Sequence, residues 1–189
     1  MNSLWRRRSI WGGGTGSDCA RIGKRRVNHA AAALLLLATA GPLTAKRAAI
    51  AMFRDWGAFS DEAPGRCFAM AAPPPGTVAD PAPAYVAVTS WPNRRVRAQV
   101  SALLSHGHRR GAPVTLTIGD SGFAIVADAR TAWARDRRQD AEIVAAMRSG
   151  SSMSVSTVSP RGHAYADVYR LRGAASAIDA AMLACPPGR

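Results

Sequence analysis

Gly119-Asp120-Ser121-Gly122 spells the tetrapeptide that surrounds the nucleophile of trypsin-like proteases. A nucleophilic serine needs a histidine base, an acid to orient that base, and donors for the oxyanion. The histidines nearest upstream, His106 and His108, lie in a charged segment with no recognisable histidine-site context. The same four residues are ideal composition for a hairpin turn. Ser121 therefore reads as a turn residue, and a serine hydrolase using Ser121 with His106 or His108 is the alternative.

Other reactive side chains converge less. The His106-Gly107-His108 pair lacks a third ligand at a metal-binding spacing. His163 sits between a turn and a tyrosine-bearing strand and reads as a surface or partly buried residue. Asp128 and Asp136 flank a tryptophan-containing segment, and nothing marks them as an acid/base pair. No phosphate-cradling glycine loop or dinucleotide fingerprint occurs. No cofactor and no metal are expected. Trp56, Trp91 and Trp133 are either core plugs or exposed binding anchors.

Cys67 and Cys185 are the two cysteines past the N-terminal region, 118 positions apart (185 − 67). They follow a leader. Lys24-Arg25-Arg26 precede the apolar run 30–40, which Gly41-Pro42 breaks, and small residues come after. This is the pattern of a secretory signal peptide, too short to span a bilayer. Cleavage is expected between positions 40 and 51, with residues 1–51 as leader and 52–189 as one domain. It would remove Cys19 and leave an even pair, which in an oxidising compartment forms a disulfide. Two buried reduced cysteines are the alternative.

The full chain carries 25 basic and 12 acidic side chains; from Lys46 onward 18 against 11 remain, a difference of +7. Nearly all of that basicity is arginine, with pairs at Arg94-Arg95, Arg109-Arg110 and Arg137-Arg138 beside expected turns. These six form either a solvated face or a binding surface for anionic lipid headgroups or polyanionic glycan. No aromatic-interleaved basic strand, zinc-finger spacing or basic helix appears, so nucleic acid is not an expected partner.

The positioning elements are mostly strands. Alternation and turn residues predict them at 55–59, 66–71, 85–90, 97–104, 114–118, 122–127, 153–158 and 163–171. A proline- and alanine-rich segment, 72–83, reads as an exposed extended loop. Helical spacing appears twice. Asp140 can cap a helix running to Arg148, with Ile143, Val144 and Met147 on one face. Ser176 and Asp179 stand in capping-box spacing for the last helix, whose Ile178, Ala181, Met182 and Cys185 share a face. Many short strands with two short helices indicate a mainly β protein, a β-sandwich.

The landmarks resemble the invasion-associated locus B (IalB) family of bacterial envelope proteins. They are Asp55-Trp56 before Cys67, the segment 143–150 with Met153 and Val155, Asp167-Val168-Tyr169-Arg170-Leu171-Arg172-Gly173, and the close from Ala177 to Cys185. The resemblance runs from about Phe53 to Cys185. It implies an immunoglobulin-like β-sandwich, export to the periplasm or beyond, and a non-enzymatic part in envelope or host-cell association. The family supplies no catalytic residues, so none are transferred. The single cysteine pair, the proline-rich loop and the arginine excess mark a departure from some relatives.

Overall fold

The described residues, which are 47–76 and 83–186 of the computed structural model, form ten strands, several of them with period-two alternation of side chains. They are β1 (Arg47–Phe53), β2 (Trp56–Asp61), β3 (Arg66–Ala71), β4 (Tyr85–Trp91), β5 (Val96–Leu103), β6 (Val114–Ile118), β7 (Ser121–Asp128), β8 (Thr131–Trp133), β9 (Ser152–Val158) and β10 (Ala164–Arg170). Two helices, α1 (Arg137–Ser149) and α2 (Ala174–Ala184), complete the fold. The basic tripeptide, the apolar run, Cys19 and residues 77–82 of the proline-rich segment lie outside the described residues.

The strands form one antiparallel ladder in the order β1-β2-β3-β4-β5-β8-β7-β6-β9-β10. β7 is its corner. Ser121 to Ile125 pair with β6, whereas Val126 to Asp128 pair with β8. The ladder thereby passes from one layer to the next, giving a β-sandwich-like fold. The far end returns to the start: the Trp56 indole N–H donates to the Arg170 carbonyl at 2.8 Å, and the Asp55 N–H donates to that of Arg172 at 3.3 Å.

Between the layers lies a single apolar cluster. Trp56, Val86, Val100, Leu116, Val155 and Tyr169 supply it from the strands, Ile143 and Met147 from α1, and Ile178 and Ala181 from α2. α2 packs across β1 to β4, and α1 packs on β5 and β7. A bidentate pair from Arg148 to Asp179, at 2.6 and 3.2 Å, joins the two helices. Among the described residues no helix is long and apolar enough to cross a membrane.

Several sequence expectations are corrected. β1 pairs along β2 from Arg47↔Asp61 onward, so this strand begins ahead of the boundary expected at position 52. Its small residues, which resemble a signal-peptide exit, are those of an edge strand with a mostly exposed side. α1 is capped by Asp136, not Asp140: the Asp136 carboxylate accepts from the Gln139 N–H at 2.8 Å, and the Gln139 side chain accepts from the Arg135 N–H at 2.9 Å. Arg137 and Arg138 accordingly lie in the first turn of α1 rather than beside a turn. α2 starts from Gly173 without a side-chain cap, and Asp179 is engaged with Arg148 instead. Gly173 has φ +92°, and a Cβ there would strike the Phe53 carbonyl, so only glycine fits where α2 leaves the sheet. β8 had no clear sequence signal; three residues are too few to show alternation.

Candidate binding surfaces

Cys67 and Cys185 form a disulfide, with Cα atoms 5.7 Å apart. Alternation along β3 puts Cys67, Ala69 and Ala71 on the core face, and Cys185 ends α2. The bond staples the end of the last helix to the sheet beneath it.

The opposite face of the same strands is a groove of about 310 Å³. Along β4, Val86 and Val88 enter the core, so Tyr85, Ala87, Thr89 and Trp91 face outward. The two aromatic residues stand at the ends of a row ~20 Å long at ~3.3 Å per residue. Small residues lie between them. Cross-strand pairing extends the row sideways. Phe68, Thr89 and Gln99 line up across β3, β4 and β5, and Met70, Ala87, Ser101 and Trp133 line up across β3, β4, β5 and β8. Trp91 and Trp133 are partly exposed, while Trp56 is wholly buried. The three tryptophans thus divide into one core plug and two surface residues.

One wall of the groove is cationic. The Arg47 and Arg66 guanidinium carbons lie 5.1 and 4.9 Å from the Phe68 ring centroid. Phe68 itself stacks on Phe59 with centroids 5.5 Å apart. Both arginines bind the buried Asp61 carboxylate, at 3.0 and 2.7 Å. Burial pushes the Asp61 carboxyl up, but the hydrogen bonds and charges of Arg47 and Arg66 outweigh it and hold the group below its ordinary range. Two fixed cations and one carboxylate leave a net positive wall. None of Arg47, Arg66, Phe68 or Tyr85 was singled out from the sequence. The signal was present in the two-residue spacing of Phe68-Met70 and Tyr85-Ala87-Thr89-Trp91, which puts each set on one face.

The arginine pairs do not make one surface. Arg94 and Arg95 follow β4 at the hairpin into β5, and the Arg137 guanidinium donates to the Arg95 carbonyl at 3.2 Å. Arg138 pairs with Glu142 on the outside of α1. Arg109 and Arg110 sit beyond the other end of β5, an eight-residue strand that spans ~26 Å. A bulge separates Arg97 from the groove: Ala98 takes φ 55°, and its N–H donates to the Ser90 hydroxyl at 3.0 Å. Arg97 is thereby turned to the helix side, where it reaches the Met182 sulfur at 3.9 Å. It rims, with Arg95, a hollow of about 330 Å³ beside Cys185.

Ser121 and the histidines are likewise kept apart. Ser121 opens β7, while the His108 N–H donates to the Ala129 carbonyl just past the other end of that strand. Eight strand residues put the two ends ~23 Å apart at ~3.3 Å per residue. His106 lies with His163 around a separate hollow of about 450 Å³, its ring 5.1 Å from that of Tyr165. The Tyr165 hydroxyl donates to the His106 carbonyl at 2.7 Å, and burial, with the Asp167 charge, pushes it up to about 12. Asp128 and Asp136 fall in different elements, at the end of β7 and the cap of α1. No group of three or more His, Cys, Asp or Glu side chains converges among the described residues.

No protein-family model matches the chain, and no curated protein matches it. Among solved structures, the fold is similar to the crystal structure of invasion associated protein B from Bartonella henselae, with a TM-score of 0.51 and 16% sequence identity. The match covers 71% of this chain and 96% of that one. At this identity the likeness is one of fold: the chain has a distant IalB-like architecture.

Proposed function

We propose that this chain is an exported, non-enzymatic protein of the bacterial cell envelope, of the IalB type, which acts by binding an envelope or host-surface partner. The Cys67–Cys185 bond carries the reading, because structural disulfides persist in oxidising compartments and are rare where glutathione keeps thiols reduced. The basic and apolar residues at 24–40 supply a route of export. The distant likeness to a protein named for invasion supports the assignment at the level of fold and makes surface association the role to test.

The full chain and a form lacking residues 1–40 should be expressed and fractionated. Non-reducing mass spectrometry of the envelope fraction is expected to find Cys67 linked to Cys185, with a mature N-terminus upstream of Arg47. Two free thiols in that fraction, or equal cytoplasmic retention of both forms, rejects the reading.

A second reading has support at one end of the molecule. Arg94, Arg95 and Arg137 gather there, and none of them forms an ion pair among the described residues. An arginine-driven binder of anionic membranes would co-sediment with anionic vesicles and release as salt rises, since exposed charge is screened.

A further inference from the structure

The groove on the outer face of β3, β4, β5 and β8 has the chemistry of a sugar site. It lies on interior strands, whose backbone groups are already paired to neighbours on both sides. A peptide cannot be added there as another strand, which is the usual way a sheet recognises extended chain. Whatever binds must be read by side chains alone.

Those side chains are of two kinds. Tyr85, Trp91 and Trp133 offer partly exposed aromatic faces around a low floor of Ala87 and Thr89. Gln99, Ser101 and Thr131 add an amide and two hydroxyls, each able to donate and accept. A pyranose has the matching duality: apolar C–H faces that lie on aromatic rings, and a rim of hydroxyls that need directional partners. An aliphatic ligand would leave the amide and hydroxyls unmatched, and burying them unpaired is costly.

Charge narrows the class. No Asp or Glu lines the groove, while Arg47 and Arg66 do. Both bind Asp61 and lie against the Phe68 ring, which limits the side-chain freedom to be lost on binding. Planar guanidinium groups favour carboxylates. The domain's excess of basic residues adds long-range attraction for a polyanion.

We infer that this groove binds a carboxylate-bearing oligosaccharide, with sugar rings on Trp91, Trp133 and Tyr85 and a uronate carboxylate against Arg47 and Arg66. The inference deepens the binding role proposed above, but its site is independent of where the protein is exported.

Isothermal titration of the purified, disulfide-bonded protein with trigalacturonate tests it. Saturable binding that weakens with salt is expected, with maltotriose, the neutral counterpart, binding at least about tenfold more weakly, the factor that ~1.4 kcal/mol represents. Trp91→Ala and Trp133→Ala should each lower affinity by about tenfold or more, as the loss of an aromatic residue covered by a ligand does. Arg66→Gln should abolish the preference for trigalacturonate over maltotriose, while Arg138→Ala, on the outside of α1 and away from the groove, should leave that preference intact. Circular dichroism and thermal melts establish that each variant is folded; should Arg66→Gln unfold, the tryptophan variants decide. Absence of saturable binding, or binding indifferent to both tryptophans, overturns the assignment, as does equal affinity for maltotriose. None of these outcomes depends on export, so this proposal can fail while the envelope role stands, and the reverse.

Discussion

Tyr169 and Asp167 neighbour each other on the inner side of β10, both completely buried. One Asp167 oxygen accepts from the Ser105 N–H at 2.8 Å and so anchors the start of the loop carrying His106; its other oxygen and the Tyr169 hydroxyl have no partner among the described residues. A buried hydroxyl without a partner costs about 1–3 kcal/mol. Tyr169→Phe is therefore expected to leave urea-induced unfolding unchanged or shift it to higher urea; a loss above about 1 kcal/mol would reveal a partner such as a trapped water. Asp140 makes the second test. Its carboxylate accepts from the Val100 N–H at 2.7 Å, yet burial, reinforced by Asp136, pushes its pKa above the ordinary value. A raised folded-state pKa means that the unfolded chain loses the proton first, so stability falls as pH rises through that window. Relative to wild type, Asp140→Asn should gain stability as pH rises above the ordinary carboxylate value, in urea titrations at each pH. Asp61 has the opposite sign: its depressed pKa contributes stability above the ordinary carboxylate value that is lost as pH falls through the folded one. The surface site was the least legible part of the sequence. Arg47 is brought to Phe68 and Tyr85 by pairing across β1, β2, β3 and β4, and no local pattern announces it.

At the level of elements, strands with strong alternation were legible, such as β6, β9 and β10, because their buried face repeats every second residue. β1 was not. It is an edge strand whose residues are mostly exposed, so no inward row marks it. The helices were recognisable from their apolar faces, but their starts were misplaced. Both Asp136 and Asp140 are acceptable caps in type, and tertiary contact decides between them: Asp140 is claimed by β5. Removing the true cap has a local price. Asp136→Ala should lower stability by about 1 kcal/mol, within the 0.5–2 kcal/mol span of such losses, as read from the thermal midpoint. The serine alternative also fails at this scale, because one hairpin holds Ser121 and His108 at its opposite ends.

For the whole molecule, composition and cysteine placement anticipated the architecture better than any motif did. The β-rich class, the two helices and the pairing of Cys67 with Cys185 all followed from pattern and count. The hairpins β2-β3, β6-β7 and β9-β10 followed from turn residues as well, but the full strand order did not, since β8 enters between β5 and β7 out of chain order. Reduction of the disulfide should lower stability by at most about 5 kcal/mol, the chain-entropy value for so long a loop. Comparing urea midpoints with and without reductant checks this; no change would mean that the reduced chain already holds its ends together.

The same covalent link has a mechanical consequence. Cys67 and Cys185 lie 118 positions apart in sequence, and tension applied at the two ends of the domain bypasses everything between them. Only the segment from Arg47 to Cys67 is left to pay out, at most ~70 Å of slack at ~3.4 Å per residue. A domain pulled at its ends would therefore unravel one hairpin and then stop hard, with the groove strands β4, β5 and β8 inside the shielded part of the chain.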